Sequence, residues 1–209
     1  MDRETNDNQG RESLELKSFL ERTRLTIQTK PGTSLSGGVY DALPNAAVCV
    51  ILRTNPNNES IETLMVKRSV SEYDPWSGHM AFPGGRADKN DAGLVETVKR
   101  EVFEETAIVL SDRDMIGKLD EIVPGNFSLK VTPFVAIPSK PVEVHIDHKE
   151  IVDFFWIPVA FFQNKQNSSE YKVVRLGQEF AVPSFAYEGK HIVWGMSLRI
   201  IENLLEKVK

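Results

Sequence analysis

Cysteine is almost missing from this chain: Cys49 is the only one in 209 residues. One thiol cannot close an internal disulfide or build a cysteine-based structural zinc site. Its place in the apolar run Ala46–Leu52 reads as a small hydrophobe buried in a strand. Long apolar runs are missing too. No stretch approaches the roughly 18 uninterrupted apolar residues of a spanning helix, so no membrane partner is expected. There is no basic excess either, the net charge being −5, and general attraction to nucleic acid is not indicated. A polyanionic substrate would need local help, from a metal or from placed Arg and Lys. The start, Met1-Asp2-Arg3-Glu4, carries acids and lacks the apolar segment of a signal peptide. The end, Glu206-Lys207-Val208-Lys209, matches no address signal. A cytoplasmic location is the default expectation.

Hydrophobic residues make up 41% of the chain, with 11 Phe and 3 Trp, enough for a sizeable core. Met1–Gly10 is polar and is expected to be disordered. Leu14, Leu16, Phe19, Leu20 and Leu25 suggest a short amphipathic helix within Glu12–Thr26, a candidate homodimer contact or partner helix. Thr29–Gly38, with Pro31, Gly32, Gly37 and Gly38, reads as a connector. Strands Ala46–Arg53 and Ile61–Arg68 flank an Asn-Pro-Asn-Asn turn that favours a hairpin. Ser69–Ser77 is a loop, and His79–Phe82 a short strand before a Gly-Gly turn. A helix is predicted over Asp91–Ile108. Further strands are predicted at Ile116–Val123, Leu129–Ile137, Val142–Ile146, Ile151–Ile157, Tyr171–Arg175, Phe180–Val182 and His191–Val193. One helical turn is expected at Pro158–Phe162, and an amphipathic helix at Gly195–Val208. Ala46–Lys209 shows no repeat and no low-complexity linker. The expected organisation is an N-terminal extension over 1–41 and one mixed α/β domain over 42–209.

The helix at Asp91–Ile108 carries an electrostatic problem. With Leu94 at zero and about 100° per residue, Val98, Val102 and Val95 fall at about 40°, 80° and 100° and form a core-facing sector. Glu105 falls at about 20°, inside that sector, with Glu101 at about 340° and Glu104 at about 280°. An ordinary solvated acid lies opposite, as Glu96 does at about 200°. A buried carboxylate without a partner is costly and would rather take a proton. A cation removes that cost and keeps the acids ionised. Arg100 precedes Glu104 by four residues and could pair with it. Upstream, Phe82-Pro83-Gly84-Gly85 sets a rigid φ beside two residues free to adopt positive φ, so the turn can aim backbone groups at a ligand. Carboxylates with a backbone carbonyl suit Mg²⁺ or Mn²⁺ better than zinc. Hard cations with open water positions are those used in phosphate chemistry.

Gly85, then Asp91 after five residues, then Arg100-Glu101-Val102-Phe103-Glu104-Glu105-Thr106-Ala107-Ile108 after eight more, resembles the signature box of the Nudix hydrolases. The chain departs from the box in three ways. Asp91 stands where the early Glu is expected, the spacing carries one extra residue, and Ala107 replaces a Gly, which is tolerable if its φ is negative. Arg68-Ser69 and Gly78-His79-Met80-Ala81-Phe82-Pro83-Gly84-Gly85 further resemble the signature of members that split coenzyme A, without its Thr and with a linking loop about two residues longer. Val193-Trp194-Gly195-Met196-Ser197-Leu198-Arg199-Ile200 resembles that subfamily's last strand and helix.

The resemblance implies the Nudix fold, a mixed β-sheet sandwiched between helices. It implies Mg²⁺-dependent attack of water on a diphosphate, with Mn²⁺ an alternative. The metal ligands would be Glu101 and Glu105, Glu104 directly or through water, and the Gly85 carbonyl. Arg100 would orient Glu104. The base would be a helix acid, Glu104 or Glu105, or a loop acid, for which Glu150 is the candidate. Arg68, Phe82 and Gly84 are the expected substrate contacts. The expected partner is a small nucleotide-containing diphosphate, coenzyme A or acyl-CoA first. ADP-ribose, NADH or nucleoside triphosphates are alternatives, as is a non-catalytic binding module. Other residues have plainer readings. His79 suits a strand edge, His145 and His148 a turn rather than zinc, and Tyr73 and Trp76 loop packing more than base stacking. Ser69 and Ser77 lack a His–Asp relay.

Overall fold

In the computed structural model, the described residues are 18–70, 78–125, 129–146, 148–175 and 177–209. Strand β1 (Asn45–Thr54) organises the fold because it is apolar on both faces. Ala47, Cys49 and Ile51 point to one side and Ala46, Val48, Val50 and Leu52 to the other, each set in its own buried cluster. A strand covered on both faces reads as a continuous apolar run, and here helices supply the two covers. Helix α2 (Leu94–Thr106) packs Val98 and Val102 onto the first face. Helix α4 (Gly195–Lys207) packs Ile200, Ile201 and Leu204 onto the second. It is joined there by Ile27, fully buried, from the helical segment 18–29, here called α1.

The large sheet has seven strands and mixed pairing. β1 meets β2 (Ile61–Arg68) antiparallel through the expected hairpin and β6 (Lys130–Ala136) parallel. β3 (Met80–Ala81) and β7 (Ile151–Pro158) pair with β2, β4 (Gly84–Arg86) pairs with β1, and β5 (Met115–Lys118) pairs with β6. A short helix α3 (Val159–Gln163) follows β7. A second sheet, in the order β10 (His191–Trp194), β9 (Gln178–Tyr187), β8 (Ser168–Arg175), closes the fold beside α4. The mixed sheet between helices is the architecture expected of the family.

Several predicted elements differ in extent. Residues 18–29 are helical, three residues past Thr26, while Leu14 and Leu16 lie outside the described residues. α1 and its connector are tied down: Gly32 N–H donates to Lys118 O (2.9 Å) and Thr33 N–H to Asp120 Oδ1 (2.7 Å). No strand forms at Val142–Ile146. Val142 and Val144 pack against the α2 cluster, and the His145 N–H donates to Thr106 O (2.9 Å). Their alternation reflects one face laid on a helix, not sheet pairing. β5 stops at Lys118, and beyond it Ile122 bridges back to Val131. Tyr73 and Trp76 lie outside the described residues. Among the described residues no helix is long and apolar enough to cross a membrane.

α2 begins at Leu94, not Asp91, after an extended Gly93 (φ 171°). It ends on Ala107 at φ 57°, in the left-handed region, so the negative φ that would make Ala tolerable there is not adopted. A Cβ in that conformation costs roughly 1–2 kcal/mol. The tertiary structure imposes the turn, because Ile108 and Leu110 must fold back into the α2 cluster. Ala107→Gly is therefore expected to raise stability by about 1 kcal/mol, read as a higher midpoint in urea unfolding.

His191 is a second point of tension. It is buried against Phe155 (ring centroids 4.0 Å), and among the described residues its Nδ1 has no hydrogen-bond partner. Burial lowers its pKa from the ordinary 6.5, with Lys190 and Lys67 adding to the shift and Glu188 and Asp153 opposing it. The unfolded chain thus takes the proton first, and stability is lost as pH falls below about 6.5. His191→Phe should flatten the melting temperature against pH in that window.

Candidate active site

The β1–β4 register sets Gly84 opposite Val48 and Gly85 opposite Ala47, and α2 covers Ala47 from above. The Gly-Gly turn is thereby wedged between β1 and the acid face of α2. Gly84 has φ 145°, and a Cβ there would come within 2.3 Å of Ala47 O. At Gly85 a Cβ would lie 2.4 Å from Glu101 Oε2, so that carboxylate takes the space of the missing side chain.

Glu105 sits on the buried face, only 4% exposed, as the helical wheel predicts. Its Oε2 accepts the Gly84 N–H at 2.9 Å, and Arg68 Nη1 lies 3.6 Å from its Oε1. Burial pushes its carboxyl up to about 8. The Gly84 N–H and Arg68 pull it down, and Glu101 and Glu150 add repulsion. Glu101 is raised as well, by burial first, opposed by Arg100 and reinforced by Glu104 and Glu150. Glu104 is exposed.

Arg100 holds the group together. Nη1 donates to Glu101 Oε1 and Glu104 Oε2, each at 2.9 Å. Nε and Nη2 donate to Asp91 Oδ1 and Oδ2, each at 3.0 Å, and Nη2 also reaches Arg86 O at 3.1 Å. The i,i+4 contact with Glu104 is the one the spacing predicts. The fork to Asp91 is a bidentate guanidinium–carboxylate pair. It holds Asp91 well below the usual carboxylate range, helped by the Asp88 N–H and Thr97. The extra residue in the spacing is absorbed before the helix, where Asp91 folds back in a turn with Asp88.

Two further residues join this floor from elsewhere in the chain. Arg68 arrives at the end of β2. Glu150 arrives on the turn 148–150, near enough to act on both Glu101 and Glu105. Ser69 secures that turn. Its N–H donates to Glu150 O (2.7 Å) and its Oγ to Lys149 O (3.2 Å). Phe82 is 3% exposed and packs in the α4-side core. The Gly84 N–H is engaged by Glu105. His145 is exposed, with Nε2 3.7 Å from Glu143 Oε2.

Arg68, Gly84, Gly85, Glu101, Glu104, Glu105 and Glu150 line a cleft of about 1860 Å³, which also reaches Tyr171 and Trp194 on the second sheet. Helical spacing predicts the acids, whereas the aromatic end has no sequence signal beyond rings near strand ends.

The NUDIX domain model matches residues 43–176, more than half of the chain. The chain belongs to the Nudix hydrolase family. A relative from Yersinia enterocolitica, described as an uncharacterized Nudix hydrolase NudL, is 30% identical over 92% of this chain and 93% of its own. A second of that description, from Photorhabdus laumondii, is 26% identical over 94% and 99%. Among solved structures, the NUDIX domain of Shewanella oneidensis NrtR complexed with ADP ribose superposes with a TM-score of 0.56. It is 18% identical, covering 84% of this chain and 94% of that one, a likeness of fold.

This Nudix hydrolase acts on diphosphate linkages, and its acids are suited to a hard cation. The donors are all oxygens, Gly85 leaves a cradle filled by the Glu101 carboxylate, and Glu105 is charged only at a cost in burial. Among the described residues no three acids yet converge on one point to encage an ion. Arg100 draws Glu101 and Glu104 toward itself.

The sign of the Glu105 shift gives a test. A carboxyl raised from 4.5 to about 8 favours folding while protonated and loses that contribution as pH climbs from about 4.5 to 8. In divalent-free buffer at pH 8, Glu105→Gln should therefore melt above the wild type. Added Mg²⁺ should narrow the gap by stabilising the wild type.

Proposed function

We propose that this Nudix hydrolase is a Mg²⁺-dependent diphosphatase of coenzyme A or acyl-CoA, releasing 3′,5′-ADP and a phosphopantetheine. The reaction class rests on one observation: Glu101, Glu104 and Glu105 share a cleft floor with the Gly84-Gly85 turn, and Arg100 fixes the acids from one side. The choice of coenzyme A rests on the resemblance of Arg68-Ser69 and Gly78–Gly85 to the signature of that subfamily.

Family members generally depend on a divalent metal, and Glu101, Glu105, Glu104 and the Gly85 carbonyl would hold it here. When bound, the ion neutralises the diphosphate and lowers the pKa of the attacking water. The protein does the rest. Asp91 keeps Arg100 aligned, so Glu101 and Glu104 are held in place. Arg68 offsets charge beside Glu105 and would meet a substrate phosphate. Glu150, poised over the acids on its turn, takes the proton as water adds in line to phosphorus and the bridging oxygen leaves. Glu104 is the alternative base.

A second reading is a diphosphatase for ADP-ribose or a dinucleotide. The NrtR domain noted above was solved with ADP ribose, and Arg68 and Ser69 direct their polar contacts to the acids and the base turn. Incubation with Mg²⁺ and coenzyme A, ADP-ribose, NADH and nucleoside triphosphates, with products identified by mass, separates the readings. Preferred release of 3′,5′-ADP from coenzyme A is expected. Preference for ADP-ribose would transfer the proposal to the second reading, and no turnover at all would refute both. Glu105→Gln should lose more than about 100-fold in activity, and Asp91→Asn about 10- to 100-fold.

A further inference from the structure

The cleft has two chemically different ends, and only the acid end is accounted for by hydrolysis. The other end is the outward face of the β8–β10 sheet. The inward face carries Val193, Phe185 and Tyr187 against the main core. Side chains alternate along strands, so Trp194, Ser184 and Tyr171 share the opposite face. Trp194 pairs with Ser184, Ser184 with Ser169, and Tyr171 lies two residues beyond Ser169. The two serines are small and hydrogen-bond each other at 2.9 Å. Ser184 is buried, and the Trp194 and Tyr171 rings meet each other, centroids 5.4 Å apart and tilted by 45°. Both rings are half-buried and line the cleft.

Short contacts connect this ring pair to the acids. Arg68 Nη1 lies 3.6 Å from Glu105, and the Arg68 N–H donates to His79 O at 3.1 Å. The His79 ring meets Trp194 edge-on with centroids 5.0 Å apart. The aromatic pair therefore starts within about two strand spacings of Arg68, on the order of 10 Å.

We propose that Trp194 and Tyr171 form the platform that takes the nucleobase of a nucleoside diphosphate whose diphosphate lies at the α2 acids. They are specificity-determining residues for the base-bearing half of the substrate. The proposal rests on the diphosphatase reading above. Every base offers a π-face, so stacking on these rings accepts nucleotides as a class. The choice among compounds then falls to the group on the far phosphate.

The test separates the base from the phosphate. Calorimetric titration of the full-length protein should show adenosine monophosphate binding about 10-fold more tightly than ribose 5-phosphate, a difference that Tyr171→Leu removes and Tyr171→Phe retains. With ADP-ribose or coenzyme A as substrate, the Tyr171→Leu effect should fall on KM rather than on kcat. Trp194→Leu should behave like Tyr171→Leu. Should Trp194→Leu fail to fold, as judged by circular dichroism, Tyr171→Leu decides alone. Equal binding of the two probes by the wild type would overturn the platform. So would unchanged monophosphate affinity in folded Tyr171→Leu. Absence of turnover across the substrate panel would instead overturn the diphosphatase reading, and the titration keeps the two failures apart.

Discussion

The rest of the site depends on one guanidinium. Arg100 has five N–H donors in a rigid fork. The fork is gripped on one side by both oxygens of Asp91 and presents Nη1 to Glu101 and Glu104 on the other. Without it, acids one turn apart would repel each other and spread into solvent. With it, two of the three carboxylates are fixed in direction. The third, Glu105, is fixed by burial and by the Gly84 N–H. A lysine could not do this, since it offers a point charge rather than a planar fork.

That constraint gives several neighbouring residues a single purpose. The Gly84-Gly85 turn can approach α2 only without side chains, because Ala47 O and the Glu101 carboxylate take the space. Arg68 and Ser69, read from sequence as part of a substrate signature, also serve the acids. Arg68 faces Glu105, and Ser69 pins the turn that presents Glu150. A conspicuous motif can thus describe how a chemical centre is assembled more than what it acts on. Tyr171 and Trp194 line the same cleft away from this motif.

The site carries costs in stability. Glu105 is a buried acid and Ala107, at the end of α2, adopts a left-handed backbone. They are set beside the two buried clusters on either face of β1. Strain near functional sites is held in place by the surrounding packing.

The amino-acid pattern alone determined the chemistry of this protein. The period of α2 put Glu105 among Leu94 and Val98, the i,i+4 spacing paired Arg100 with Glu104, and apolar runs marked β1, β2 and β7. These are local properties, repeating every 3.6 or 2 residues, and are legible wherever the period holds. Tertiary structure decided what periodicity does not encode. It bent Asp91 back onto Arg100, denied a strand to Val142–Ile146 by laying it on α2, and forced Ala107 to positive φ. It brought Arg68, Glu150, Tyr171 and Trp194 into one cleft from separate parts of the chain. Such contacts depend on which strands pair and which faces are covered, and that is settled only when the whole sheet closes.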